Sequence, residues 1–282
     1  MQVECLPSEV RSVVKAERKK GAVVGVVPTM GALHAGHVSL IEAARHECDF
    51  VVTTIFVNPT QFAPNEDLQK YPRTLERDLE MCRNAGCDLV FTPEVASMYL
   101  KDAETVVDVT ELTQRLEGRT RPEHFQGVTT VVAKLFNITV PDRAYFGQKD
   151  FQQQLVIRRM VQDLDWGIEI VTCPIVRESD GLAMSSRNRY LSDDERQNAL
   201  ILFRALTYAT ELAGQSAAPE KIESEITRMI HSVDGVELDY AVVVDATKLT
   251  PLIESSTVAV ALVAAKVGNT RLIDNQLLDF PA

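Results

Sequence analysis

A regular alternation between short apolar runs and segments of helical length constrains the fold of the first 175 residues most strongly. Strands are predicted at residues 22–27, 49–57, 89–92, 106–110, 144–146 and 169–173. Helical spacing of apolar residues before and between these runs predicts helices at 8–20, 37–48, 75–85, 128–138 and 151–164. Continuous apolar strands separated by helices are typical of a parallel sheet that is covered on both faces. The pattern therefore predicts an α/β fold with a doubly wound, Rossmann-like sheet, whose ligand binds beyond the carboxyl ends of the strands.

The order of elements changes after Pro174, where helices are followed by strands. Ser192 and Glu195 form a capping box that is typical of a helix start. Gly268 and Asn269 suit a tight hairpin turn. Helices are predicted from 192 to about 213 and at 219–233, with a linker at 214–219, and strands at 238–244, 258–267 and 270–274. We therefore predict two domains, 1–175 with the parallel sheet and 176–282 as a smaller α+β domain.

The composition narrows the possible partners. The 282 residues carry a net charge of −11, which argues against nucleic-acid binding because that binding needs basic patches. No apolar run approaches the length of a membrane span, and the N-terminus lacks the pattern of a secretory signal, so we expect a soluble, cytoplasmic protein. Scattered cysteines without metal-ligand spacing are expected to be reduced and buried: Cys5, Cys48, Cys82, Cys87 and Cys173.

The stretch "VVPTMGALHAGH", residues 26–37, joins the first predicted strand to the following helix. Gly31 allows a sharp turn, and Gly36 allows a ligand to approach the helix start closely. His34 and His37 are three residues apart, so both can face one side of the first helical turn and donate to phosphate oxygens. The free N–H groups of such a turn also suit phosphate. A pair of surface histidines is the alternative, and the sequence contains no P-loop pattern.

Two further segments carry polar groups toward the same edge of the sheet or into nearby loops. "NPTQF" follows the second predicted strand and offers Asn58 and Gln61, whose amides can recognise a hydroxyl or carboxylate, although Asn-Pro is also a common turn. "RTRPEHFQG" places Arg119, Arg121 and His124 in one loop. An arginine pair can clamp an anion, and a solvated basic loop is the other interpretation.

The two remaining candidate segments each contain a cationic side chain among other polar groups. "FGQKDFQQ" follows another predicted strand with Lys149, Asp150 and Gln153. Lys149 could neutralise charge during phosphoryl transfer, whereas Asp150 could bind a ribose hydroxyl or cap the next helix. "GLAMSSRNRYLS" carries two hydroxyls and a guanidinium in a segment of residues 181–192, which suits a mobile lid over phosphates.

Taken together, these motifs resemble the nucleotidyltransferase superfamily with an HxGH motif, and within it the pantothenate synthetase (pantoate–β-alanine ligase) family. The blocks that carry the resemblance occur in order along the chain: "PTMGALHAGH", "IFVNPTQF", "YPRTLERD", "RPEHFQGV", "FGQKDFQQ", "DGLAMSSRN" and "RLIDN". Thr60 stands where that family usually has methionine, and Glu123 where glycine is expected; Gln126 and Gln148 occupy variable positions.

The resemblance implies ligation of pantoate to β-alanine through a pantoyl-adenylate, with ATP and Mg²⁺ and release of AMP and pyrophosphate. It implies catalytic roles for His34, His37, Lys149 and Arg187, and substrate contacts for Asn58, Gln61 and Gln153. The implied nucleotide site comprises Met30, Gly31, Ala32, Leu33, His34, Ala35, Gly36, His37, Gly147, Gln148, Lys149, Asp150, Val176, Met184, Ser185, Ser186 and Arg187. It implies an ATP- and pantoate-binding first domain, a lid as the second domain, and a homodimer, with no nucleic-acid or membrane partner.

Two rival functions remain open from the sequence. One is an adenylyltransferase that acts on another vitamin or cofactor precursor with the same histidine pair. The other is a regulatory protein that binds a nucleotide without turnover, although binding alone needs fewer cations.

Overall fold

The computed structural model describes residues 1–63, 66–253 and 258–280. The described chain divides into two compact units, one of residues 1–148 and 152–174 and the other of residues 149–151 and 175–282. Residues 149–151 thus group with the second unit, although they follow a strand of the first unit in sequence. None of the helices in the described ranges combines the length and the hydrophobicity of a membrane span.

The first unit is built on a parallel sheet, which confirms the predicted fold class. Its strands, as far as the chain is described, run in the order β1-β4-β3-β2-β5-β6, and every pair is parallel. They are β1 Gln2–Glu4, β2 Val24–Thr29, β3 Phe50–Ile55, β4 Leu89–Phe91, β5 Arg143–Gly147 and β6 Glu169–Cys173. From β2 the chain proceeds outward through β3 to β4 on one side and through β5 to β6 on the other. The order therefore reverses between β2 and β5, where open α/β sheets bind ligands.

The core shows why the apolar runs are continuous. Val26 and Val27 on β2 are both fully buried, yet they belong to two different hydrophobic clusters. Val51 and Val52 on β3 divide in the same way. Successive side chains of a strand point to opposite faces, so each face of this sheet has its own apolar cover.

Helices supply that cover and were largely predicted. They are α1 Pro7–Lys19, α2 Ala35–Glu47, α3 Leu75–Asn84, α4 Val95–Met98, α5 Glu117–Thr120, α6 His124–Thr139 and α7 Phe151–Asp163. The short elements β1, α4 and α5 were missed, because three or four residues carry too little periodic pattern to recognise.

The strand predicted at residues 106–110 was wrong. No strand forms in that described segment, because its main chain is bonded to side chains of α6. The N–H of Val107 donates to Oγ1 of Thr130, and the hydroxyl of Thr129 donates to the carbonyl of Val107. These bonds satisfy the backbone groups that a neighbouring strand would otherwise have to satisfy.

The described part of the second unit has an antiparallel sheet and two helices. Among the described residues its strands are β7 Val236–Asp245, β8 Ala259–Val267 and β9 Thr270–Leu278, in that order, and its helices are α8 Asp193–Gly214 and α9 Pro219–His231. The predicted capping box of Ser192 and Glu195 is present at the start of α8. The turn between β8 and β9 is at Gly268, whose φ of +56° lies in the left-handed region that favours glycine.

A glycine lets α6 approach a loop that follows β3. A Cβ atom on Gly127 would lie 2.4 Å from the carbonyl oxygen of Thr60 and 2.7 Å from the backbone nitrogen of Gln61. Both residues belong to the 3-10 turn Pro59–Gln61. The close contact explains why a helix tolerates glycine here despite its cost of about 1 kcal/mol relative to alanine.

We expect Gly127→Ala to lower the free energy of unfolding by about 1–3 kcal/mol, because the added methyl group has to displace backbone. Urea denaturation measures the change. Gly214→Ala is the matched control, since a Cβ at that helical position has open space around it. Equal stability of Gly127→Ala and the parent chain would contradict the packing described.

Candidate active site

The turn between β2 and α2 carries the histidine pair. Gly31 and Ala32 both have positive φ, +84° and +51°, so the chain reverses sharply after β2. His34 is the N-cap of α2, and its ring lies 4.1 Å, centroid to centroid, from the ring of His37. Both rings are partly exposed. The structure therefore brings the two imidazoles together at the end of β2, beside the reversal of strand order.

The backbone determines which ring nitrogens face outward. The N–H of Gly36 donates to Nδ1 of His34 at 3.2 Å, and the N–H of His34 donates to Nδ1 of His37 at 3.3 Å. A nitrogen that accepts carries no proton, so the proton of each neutral imidazole is on Nε2. The expectation that N–H groups of this turn remain free for phosphate is wrong for His34 and Gly36. The donors that the two neutral rings carry are therefore their Nε2–H groups.

Asp78 of α3 holds the same turn and was missed by sequence reasoning. Its side chain is 1% exposed. Its two oxygens accept from the N–H groups of Ala32 and Leu33, both at 2.9 Å, and Oδ1 also accepts from the hydroxyl of Thr74. The sequence offers no signal for this role, because Asp78 follows Glu76 and Arg77 and reads as part of a solvated helix face.

Gln61 and Asn58 form the second part of the site, after β3. Nδ2 of Asn58 donates to Oε1 of Gln61 and to the carbonyl of Gly127, both at 3.1 Å. Nε2 of Gln61 is 3.1 Å from Sδ of Met30, so the structure brings this loop against the β2–α2 turn. Because Asn58 is 1% exposed and donates to Oε1 of Gln61, it orients the Gln61 amide with its N–H₂ group toward Met30.

Hydroxyl groups complete the environment of Asn58. Its Oδ1 accepts from the hydroxyls of Tyr99 at 2.8 Å and Thr60 at 2.9 Å. Burial raises the pKa of Tyr99, which keeps that phenol a donor. Thr60, one of the two departures from the family pattern, thus takes part in positioning Asn58. Glu123, the other departure, is exposed and precedes α6 without a side-chain capping bond.

In the basic loop, for which an anion clamp and a solvated loop were both open, Arg121 is engaged by protein groups. Arg121 is paired with Glu66, with Nη2 and Oε2 2.6 Å apart, and it also donates to the carbonyl of Gln61 at 3.2 Å. Burial would raise the pKa of Glu66, but the bonds from Arg121 outweigh it and hold that pKa below the usual range. The guanidinium is thus neutralised and braces Gln61.

His124 braces the same carbonyl. Its Nδ1 is 2.9 Å from the carbonyl oxygen of Gln61, so Nδ1 carries the proton and donates. Nε2, 3.3 Å from Nη1 of Arg121, is then the acceptor. Burial, helped by the charge of Arg121, lowers the pKa of His124 to about 4, while Glu66 and Glu117 oppose that shift.

The segment after β5 contains Lys149 and four glutamines, of which Gln148 is partly exposed. Nζ of Lys149 is 3.7 Å from Oδ1 of the exposed Asp150. Gln152 is buried and bonds to the carbonyls of residues 112 and 115, and Gln154 is buried beside Thr172. Gln153, the predicted substrate ligand, is partly exposed between them. Nothing lies within 4 Å of a Cβ placed on Gly147, so backbone is accessible at the end of β5.

The predicted lid segment belongs to the second unit. The N–H of Met184 donates to the carbonyl of Val176 at 3.0 Å, so these two predicted nucleotide contacts are neighbours. Ser185 caps the 3-10 helix Ser186–Tyr190 by accepting from the N–H of Arg187 at 3.2 Å. Ser185, Ser186 and Arg187 are all partly exposed.

Comparison with known proteins identifies the family. Residues 4–277 match the pantoate–β-alanine ligase family. The chain belongs to this family. A pantothenate synthetase of Moorella thermoacetica is 53% identical over 275 residues, which cover 96% of each chain. A pantothenate synthetase of Acidobacterium capsulatum is 56% identical over 257 residues, which cover 90% of this chain and 86% of the relative.

Solved structures of pantoate–β-alanine ligases share the fold. The structure of pantothenate synthetase from Thermus thermophilus matches with a TM-score of 0.93 at 46% identity and covers 98% of this chain and 99% of its own. The ligase from Francisella tularensis, complexed with beta-gamma ATP and beta-alanine, matches with a TM-score of 0.81 at 33% identity, covering 98% and 97%.

We expect Asp78→Asn to lower the free energy of unfolding by about 1–3 kcal/mol, because an amide group would then face a buried N–H group. Urea denaturation measures the loss. Asp163→Asn on α7 is the control, since its pair with Arg159 is exposed and such pairs contribute about 0–1 kcal/mol. A smaller loss for Asp78→Asn than for Asp163→Asn would show that Asp78 does not hold the turn.

His124 makes stability depend on pH. Its pKa is about 4 when folded, against 6.5 for the unperturbed group, so the unfolded chain binds more protons between these values. The free energy of unfolding therefore falls as pH drops from about 6.5 to about 4, by on the order of 2–3 kcal/mol from this group.

In His124→Gln, which keeps one donor and one acceptor, we expect this contribution to the pH dependence to vanish. Urea unfolding at several pH values compares it with the parent chain and with His46→Gln, whose ring is exposed on α2. Identical pH profiles for His124→Gln and the parent chain would contradict the assignment of a buried neutral ring.

Proposed function

We infer that this chain joins pantoate to β-alanine at the expense of ATP, and that it does so through a pantoyl-adenylate. The observation that carries this inference is the paired imidazoles at the end of β2, with both Nδ1 atoms engaged by backbone, in a chain that matches the ligase family over residues 4–277. The ligase of F. tularensis, whose structure contains beta-gamma ATP and beta-alanine, supports the choice of substrates.

The proposed reaction has two displacements. A carboxylate oxygen of pantoate attacks the α-phosphorus of ATP, and the bond from that phosphorus to the bridging oxygen breaks, releasing pyrophosphate. The amine of β-alanine then attacks the acyl carbon, and the bond to the adenylate oxygen breaks, releasing AMP; the amine loses its proton to solvent. The first step brings two anions together, so catalysis consists mainly of positioning and charge neutralisation.

Each proposed catalytic group contributes to positioning the substrates or to neutralising their charge. His34 and His37 donate Nε2–H to oxygens of the triphosphate, and His37 also acts as an acid or stabilising donor. Lys149 neutralises charge that develops at the α-phosphorus. Ser185, Ser186 and Arg187 close over the phosphates, and the closed segment 181–188 keeps water from the reactive anhydride.

The rest of the proposed site binds the nucleotide and pantoate. Gln61 presents an N–H₂ group to pantoate, held in that orientation by Asn58, and Gln153 provides a second amide. Nucleotide contacts are proposed for Met30, Gly31, Ala32, Leu33, Ala35, Gly36, Gly147, Gln148, Asp150, Val176 and Met184.

Magnesium enters this proposal with ATP. Among the described residues, no group of three or more His, Cys, Asp or Glu could hold a metal ion, and both oxygens of Asp78 already accept from the β2–α2 turn. Mg²⁺ usually retains several waters and binds substrate phosphates, so its ligands here would be those of MgATP. No protein residue is assigned to it.

A homodimer and a cytoplasmic location complete the proposal. Both rest on the family membership of the chain. Light scattering on the purified protein tests the dimer, for which a monomeric mass at micromolar concentration would be contrary evidence.

We expect His37→Ala and Lys149→Ala each to slow pyrophosphate exchange into ATP by about 10²-fold or more, the scale of removing one aimed donor. The exchange is measured with pantoate and without β-alanine, which also distinguishes pantoate from other acceptors. The controls are His46→Ala and Lys15→Ala, which change a histidine and a lysine that are both exposed.

Near-normal exchange in either variant would remove that residue from the catalytic set. Failure of the parent chain to exchange with pantoate, together with no AMP release when β-alanine is added, would contradict the proposed function itself.

A further inference from the structure

The block "RLIDN", residues 271–275, is the one family block to which neither the site described above nor the proposed function gives a role. It lies on β9, which pairs with β8 so that Asn275 is opposite Leu262 and Asp274 is opposite Val263. Successive side chains of a strand point to opposite faces, so those of Asp274 and Asn275 lie on the two different faces of this sheet.

Asn275 is a buried amide that reaches the main chain of Lys149. Its side chain is 1% exposed, and its Nδ2 donates to the carbonyl oxygen of Lys149 at 3.0 Å. Leu262 beside it is also buried. A buried amide destabilises the fold unless it is hydrogen-bonded, and the bond to Lys149 satisfies one donor of Asn275.

Asp274, the neighbour of Asn275 on β9, is fixed by several hydrogen bonds. Its carboxylate receives both terminal nitrogens of Arg177, at 2.6 and 3.0 Å, and is 4% exposed. The same guanidinium lies 4.6 Å from the ring centroid of Phe203 and donates to the carbonyl of Gly181. The backbone N–H of Asn275 also donates to Oδ1 of Asp274 at 2.8 Å, which ties the two residues into one network.

We propose that Asn275 is a positioning residue for Lys149, which rests on the catalytic role proposed for Lys149. A lysine side chain has four rotatable bonds, so the position of its ammonium group depends on how firmly the backbone of the lysine is held. The bond from Asn275 holds the carbonyl of Lys149 and thereby the orientation of its peptide unit. Lys149 and Asn275 belong to the same compact unit.

The proposal predicts a loss in rate rather than in nucleotide binding. A displacement of about 1 Å at a reacting centre can cost about 10²-fold in rate. We therefore expect Asn275→Leu, which removes the donor at similar volume, to slow pantoate-dependent pyrophosphate exchange about 10- to 100-fold. The KM for ATP should change less than about threefold, because the other phosphate ligands stay in place.

Gln276→Leu is the matched control. It also replaces an amide side chain by leucine, on the next residue of β9. The amide of Gln276 donates to the carbonyl of Leu277 in an exposed contact. We expect its exchange rate to remain within about twofold of the parent rate, since surface changes of this kind have small effects. Asn275→Ser, which is too short to reach Lys149, provides a second variant if the leucine variant does not fold.

A double-mutant cycle with Lys149→Ala separates positioning from a general structural role. If Asn275 acts through Lys149, adding Asn275→Leu or Asn275→Ser to Lys149→Ala leaves the exchange rate unchanged. If the two losses multiply instead, the inference is overturned while the proposed function stands. A near-normal rate for Lys149→Ala alone would refute the role of Lys149 and the inference with it.

Discussion

The buried carboxylate of Asp78 is the interaction on which the β2–α2 turn depends. Ala32 and Leu33 are almost fully buried, and their N–H groups would be left without acceptors if this carboxylate were absent. Ala32 also has a positive φ, a conformation that persists only where its surroundings impose it. The cap of α2 begins immediately after this turn. The positions of His34 and His37 therefore depend on a carboxylate of another helix.

The same principle recurs across the site, where each candidate functional residue is held in place by other side chains. Asn58 orients the side chain of Gln61, and His124 and Arg121 hold its carbonyl. Asn275 holds the carbonyl of Lys149. Donors that are already oriented before substrate binds need no reorganisation when charge develops, which is the main source of electrostatic catalysis. The supporting residues are thus as much a part of the site as the groups that contact substrate.

The charge distribution shows how an acidic protein can bind a polyanion. Its net charge of −11 provides no general attraction for ATP. Several arginines are neutralised by carboxylates: Arg121 by Glu66, Arg177 by Asp274 and Arg196 by Glu178. In the proposed function, the attraction for ATP is local and rests on groups such as the Nε2–H donors of the histidine pair. Such a site selects for the shape of its ligand as well as for negative charge, because its donors have defined directions.

The sequence by itself determined the described strands other than β1, most helices, the capping box of Ser192 and the hairpin at Gly268, because periodicity, caps and turns are local properties. It also determined that the His34 and Gln61 motifs both follow strands of one parallel sheet. Only the tertiary structure decided that residues 106–110 form no strand, because Thr129 and Thr130 satisfy their backbone. It alone placed Asp78 beneath the β2–α2 turn and Asn275 against Lys149. These contacts join residues far apart in the chain, and the chemistry of a buried acid or amide does not reveal its partner until the chain has folded.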